Sequence, residues 1–145
     1  MTMRQIDEVT RLLAAAADTL TEAHWVRSAP ERLAATRAGT LQVAAAVLAA
    51  RGRPGALGAA GERPGCPWEA LARIAPELAE RADHLARAYA QPPQDVRGLD
   101  DLLRAGEDFL LVAAATLGLP APSLPATLVP VSLTSLRPAG GARAS

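Results

Sequence analysis

Lysine is missing from this 145-residue chain, and all 15 of its basic residues are arginine. An all-arginine set reads first as GC-rich coding bias and second as a use of guanidinium groups, which stay charged and fork onto carboxylates and phosphates. Aromatic residues are scarce as well, at 3%: two Trp, one Tyr and one Phe. A core so poor in aromatics is built from leucine and alanine, and such small side chains bring helix axes close together. Cysteine occurs once, which excludes an internal disulfide, and Cys66, His24 and His84 stand at no ligand spacing. No metal and no cofactor is expected. There is no excess of either charge, because 15 acidic residues match the 15 basic ones and the pI is about 6.7. No global field therefore draws the chain to nucleic acid or an anionic membrane. The longest nearly apolar run, from Phe109 to Leu119, is about half of the ~20 residues that span a bilayer. Asp7 and Glu8 stand where a signal peptide would be apolar. No membrane segment and a cytoplasmic location follow as expectations.

What is present is helical. Hydrophobic residues make up 50% of the chain, enough for one core and one domain. The most regular stripe places Trp68, Leu71, Ala75, Leu78, Ala82, Leu85 and Tyr89 at alternating steps of three and four, and these are the expected central core together with Phe109. Pro67 suits a first helical position, whereas Pro76 falls inside the stripe and predicts a break between helices Pro67–Ile74 and Pro76–Ala90.

Before this stripe, Ile6, Val9, Leu13, Ala16, Leu20 and Ala23 predict a helix from Met3 to Trp25. Ser28-Ala29-Pro30-Glu31 reads as a capping box opening a second helix over Ala29–Arg51, with Leu33, Arg37, Leu41 and Leu48 along it. After the stripe, Leu99, Leu102, Leu103, Gly106, Phe109, Leu110, Ala113 and Leu117 mark a last helix closed by Gly118. Residues 52–65 are Gly, Pro, Ala and Arg without periodicity and read as a flexible loop. Residues 119–145 carry five prolines and a Gly-Gly, which opposes helix and strand. The expected architecture is an all-α, antiparallel four- to five-helix bundle over residues 1–118 with a disordered Pro-rich tail over 119–145, of which Leu128 to Leu136 could dock as an extended strip. Val43–Ala50 and Phe109–Leu117 are apolar nearly all round. A homodimer packed through either helix explains this, and the alternative is alanine used as a helix former on the surface.

The segment Trp68-Glu69-x-Leu71-Ala72-Arg73-Ile74-Ala75-Pro76-Glu77-Leu78, with Arg32-Leu33 to Arg51 before it and Asp100-Asp101-Leu102-Leu103 to Leu110 after it, resembles a small actinobacterial branch of the HEPN superfamily over about residues 5–118. The resemblance implies an up-and-down helical bundle, often dimeric. It also implies a superfamily of metal-independent ribonucleases, toxin-like and antitoxin-like proteins, and non-catalytic RNA-binding or scaffold members. The superfamily's catalytic signature is an arginine followed four to six residues later by a histidine. Neither His24 nor His84 has an arginine at that distance, so no catalytic residue is carried over.

Three groups of residues could still carry chemistry. Glu80, Arg81, Asp83, His84 and Arg87 form a polar cluster in which Glu80–His84 and Asp83–Arg87 stand four apart. It is either a solvated face laced with ion pairs or, with His84 as proton carrier and Arg81 or Arg87 as cation, a ribonuclease site. Arg51, Arg53 and Arg63 flank or occupy the flexible loop, where Gly55, Gly58 and Gly61 would let a phosphate approach, although no nucleotide-loop motif is present. Cys66 precedes a helix start, where a thiol's pKa is lowered, or is simply a small residue, and His24 next to Trp25 reads as a helix C-terminal cap or a partly buried packing residue. Trp68 and Tyr89 could stack bases, but their place in the stripe assigns them to the core. The expected function is a non-catalytic module binding a protein or RNA partner. The alternatives are a metal-independent ribonuclease and a purely structural interaction protein.

Overall fold

Thr2 opens the first helix: its hydroxyl accepts from the Gln5 amide at 3.2 Å while the Gln5 side chain accepts from the Thr2 amide at 3.0 Å. This is a reciprocal capping box, which satisfies two amides that a helix start leaves without partners. In the computed structural model, which describes residues 1–52 and 66–125, the elements are α1 (Met3–Ala23), α2 (Ala29–Arg51), α3 (Pro67–Ile74), a 3-10 turn (Pro76–Leu78), α4 (Ala79–Ala90) and α5 (Val96–Thr116). The architecture is the expected all-α bundle, and among the described residues it contains no strand. Arg53, Arg63, the glycines between them and Leu128 to Leu136 lie outside those residues.

The helix limits differ in small ways from expectation. α1 stops at Ala23, two residues before Trp25, with His24 as its cap. Ser28 caps α2 by accepting from the Glu31 amide at 3.2 Å, but the return bond from Glu31 is not formed, so the capping box lies at Thr2 instead.

α2 is the central helix, packed against α1, α3 and α5. Its buried positions are Thr36, Gly39, Thr40, Val43, Ala44, Ala46, Val47 and Leu48, whereas Leu33 and Leu41 are half-buried and Arg37 is exposed. The expected leucine stripe is thus displaced by a face of small residues. Close approach requires it: a Cβ on Gly39 would stand 2.7 Å from Leu20, and one on Gly106 of α5 would stand 2.9 Å from Thr40 Cγ2. The Thr36 hydroxyl is buried without cost because it donates to the Arg32 carbonyl oxygen at 2.8 Å. Burial on several sides also accounts for α2 being apolar nearly all round. α2 is long and apolar enough to cross a bilayer, with mean hydropathy 1.4 over its most apolar window, a property overlooked when only the Phe109 to Leu119 run is considered. Here 44% of that window is buried inside the bundle.

Ala75 leaves the helical region at φ −130°, ψ 76°, because Pro76 has no amide to offer and its ring would strike the preceding turn. The break leaves the apolar stripe continuous: Trp68, Leu71, Ala75, Leu78, Ala82 and Leu85 are buried and Tyr89 is half-buried. Trp68 stacks on Tyr89 with centroids 6.0 Å apart and tilts against Phe109 at the same distance, so three of the four aromatics meet in one place.

Asp95 caps α5 through the Gly98 amide at 3.1 Å. At the other end Gly118 takes φ +71°, and the amides of Gly118 and Leu119 return to the carbonyls of Ala115 and Ala114, a Schellman closure that glycine permits. The chain beyond does not leave the bundle at residue 119 as expected. Leu119 and Leu124 are half-buried against the core.

Candidate functional site

α4 turns Glu80, Arg81 and His84 outward at steps of three and four, and α5 presents Ala105 and Asp108 toward them. Between the two helices lies an open groove of about 360 Å³ lined by Glu80, Arg81, His84, Leu85, Ala105 and Asp108. Leu85 is buried and Ala105 half-buried, so the groove has an apolar floor beneath a polar rim. Across it, Arg81 Nε donates to Asp108 Oδ2 at 3.1 Å.

Three of the five expected cluster residues are therefore brought together, and two are not. Asp83 and Arg87 do not line the groove, and their expected ion pair is replaced by a bond from Arg87 Nε to the backbone carbonyl oxygen of Asp83 at 3.4 Å. Glu80 and His84 form no hydrogen bond with each other among the described residues. The groove's charge is settled by the residue that sequence spacing did not reveal: Asp108 engages the one guanidinium that lines it, and Glu80 adds a second carboxylate. Among the residues that line the groove, two carboxylates thus stand with one guanidinium and one imidazole.

Arg51, expected to grip phosphate, is bound in an ion pair with Glu77 of the 3-10 turn. The Glu77 carboxyl is held below the usual range, first by its own backbone amide and then by Arg51. Cys66 occupies the cap position of α3 without a side-chain capping bond and packs half-buried against the core.

A second polar group sits where α1 turns into α2. His24 Nε2 meets Glu107 Oε2 at 3.1 Å. Arg32 donates to the carbonyl oxygens of Ala23 and His24 at 3.1 and 3.3 Å and to Asp100 Oδ1 at 2.7 Å. His24 is the cap it was expected to be, and its partner on α5 is a tertiary contact with no counterpart in local spacing. This group ties three helices together and its side chains are four-fifths or about half covered. Among the described residues no set of three or more His, Cys, Asp or Glu side chains converges as a metal site would require.

With this geometry in hand, comparison with known proteins adds one match. The model of the family described as HEPN_SAV_6107-like HEPN matches residues 23–113, more than half of the chain, from the last residue of α1 into the last turns of α5. No curated protein and no solved structure matches.

Proposed function

The chain belongs to that HEPN family, and from this we propose that it is a non-catalytic helical module that binds a protein partner at the groove between α4 and α5. The observation that carries the reading is the Arg81–Asp108 pair within a groove that also holds Glu80. Cleaving RNA at this place would need His84 to move a proton and a cation to stabilise the charge that develops on phosphorus. Of the two arginines that could supply it, Arg81 lines the groove and is paired with Asp108, and Arg87 does not line it. The same lining suits a polypeptide: the half-buried Ala105 offers apolar contact, and Glu80, His84 and Asp108 offer hydrogen bonds at the rim.

The test is incubation of the purified chain with a labelled single-stranded RNA in the presence of a chelator, beside His84→Ala. Neither protein is expected to cleave, and neither is expected to bind the RNA with an affinity that falls as salt rises. Cleavage that the variant loses would replace this reading with a metal-independent ribonuclease centred on His84. Proteins retained by the wild-type chain and released by Ala105→Arg, which fills the groove floor, would identify the partner.

A further inference from the structure

Charge is divided unevenly along the chain. Residues 1–118 hold all 15 acidic residues and 13 of the 15 arginines, whereas residues 119–145 hold Arg137 and Arg143 and no acid. By formal count the bundle is two charges negative and the segment after it two charges positive. In the groove between α4 and α5, Arg81 and Asp108 are taken up with each other, which leaves Glu80 as the lining carboxylate without an ion pair among the described residues. The chain is also held to the bundle after α5. Beyond the closure at Gly118, Leu119 and Leu124 pack half-buried against the core.

We infer that the groove is occupied in cis by this chain's own segment around Arg137, with the Arg137 guanidinium on the Glu80 carboxylate and Leu136 against Ala105. A groove of about 360 Å³ takes a side chain or two and is too small to seat a helix about 10 Å across. An extended segment carrying an arginine beside a leucine fits its half-buried alanine and free carboxylate. Leu136-Arg137 is the one such pair after the bundle, since Arg143 stands between two alanines. The reach is ample. Arg137 is twelve residues beyond Pro125, up to ~40 Å of chain, while Ala105 lies only ~17 Å back along α5 from Thr116. A tether of that length gives an effective concentration on the order of millimolar, so a contact too weak to hold a free peptide is populated here. Being led by one exposed ion pair, it weakens as salt rises. Its consequence for regulation rests on the partner reading above: an incoming polypeptide must displace Arg137, so the segment keeps the site closed to weak competitors.

Paramagnetic relaxation in the full chain decides it, with Cys66→Ala removing the native thiol, Ser135→Cys carrying a nitroxide, and far-UV circular dichroism checking the fold. Amide signals of Glu80, His84 and Ala105 are expected to lose intensity and to regain it when the nitroxide is reduced. Arg137→Glu and Glu80→Arg should each abolish the loss, and the two together, which restore opposite signs, should bring it back. A second arm needs no label and no change within the bundle. As salt rises to about 1 M, where the Debye length is about 3 Å, the wild-type groove signals should converge on those of Arg137→Glu. No loss at the groove, a loss centred elsewhere on the bundle, one indifferent to both charge reversals, or groove signals that Arg137→Glu leaves unmoved would overturn the inference. So would a loss seen in isotope-enriched, unlabelled chain mixed with spin-labelled chain, because a second copy then supplies the segment. RNA cleavage that His84→Ala removes would overturn the partner reading instead, and would leave these intensities where they are.

Discussion

The hydroxyls of Thr40 and Tyr89 lie 2.7 Å apart, and the Tyr89 hydroxyl also donates to the Thr36 carbonyl oxygen at 3.3 Å. Tyr89 is thereby held with its ring against Trp68 and its oxygen against α2, so a side chain on α4 reports on the packing of two other elements. Arg37 lies 5.9 Å above the same ring.

Burial pushes the Tyr89 phenol up to about 12 from its ordinary 10, against the opposing pull of Thr40 and Arg37. The folded state thus favours the neutral phenol. Stability from this source is complete below pH 10, the unfolded value, and is lost as pH rises through 12, by up to roughly 2–3 kcal/mol. Urea denaturation at pH 9 and again near pH 11.5 should show the loss in the wild type. Tyr89→Phe should cost about 1 kcal/mol at neutral pH and show a smaller alkaline loss.

Trp68 touches both other aromatics of the cluster and is 6% exposed. Trp68→Ala should cost about 3–5 kcal/mol in a urea titration, as expected when a large buried ring leaves a cavity that helices cannot close.

Gly39 is a helix-interior glycine, where alanine ordinarily adds about 1 kcal/mol of stability. Here the added methyl would meet Leu20 Cγ at 2.7 Å, and Leu20 is fully buried. Gly39→Ala should therefore destabilise, by about 1 kcal/mol net once overpacking is set against propensity. A higher urea midpoint than wild type would mean that α1 and α2 separate more easily than their packing indicates.

Arg32 serves two backbone carbonyls at the end of α1 and one carboxylate on α5. Arg32→Ala should cost about 1–3 kcal/mol, and Arg32→Lys should recover little, since one ammonium cannot reproduce the guanidinium's divergent donors. Thermal melting of both variants distinguishes a tie made by geometry from one made by charge alone.

The core stripe from Trp68 to Tyr89 and the break at Pro76 were legible because each depends on spacing within one segment. The buried face of α2 was not. Leucine dominates any hydrophobic pattern, whereas the requirement that placed Gly39, Thr36 and Thr40 inward is the close passage of α1 and α5, which no window of α2 contains. The groove was half legible for the same reason. Glu80, Arg81 and His84 share a helix and announce themselves, but Asp108 lies 27 positions after Arg81 and decides the charge. Likewise His24 gave the sign of a cap and none of Glu107.

A central helix that is apolar toward several neighbours imposes an order on biosynthesis. α1 can cover one side of α2 as soon as both have left the ribosome, yet the side that meets α5 has no partner until residues 96–116 are made. At roughly 5–20 residues per second that interval lasts on the order of several seconds, during which the nascent chain displays an oily, 23-residue rod to whatever waits at the exit tunnel.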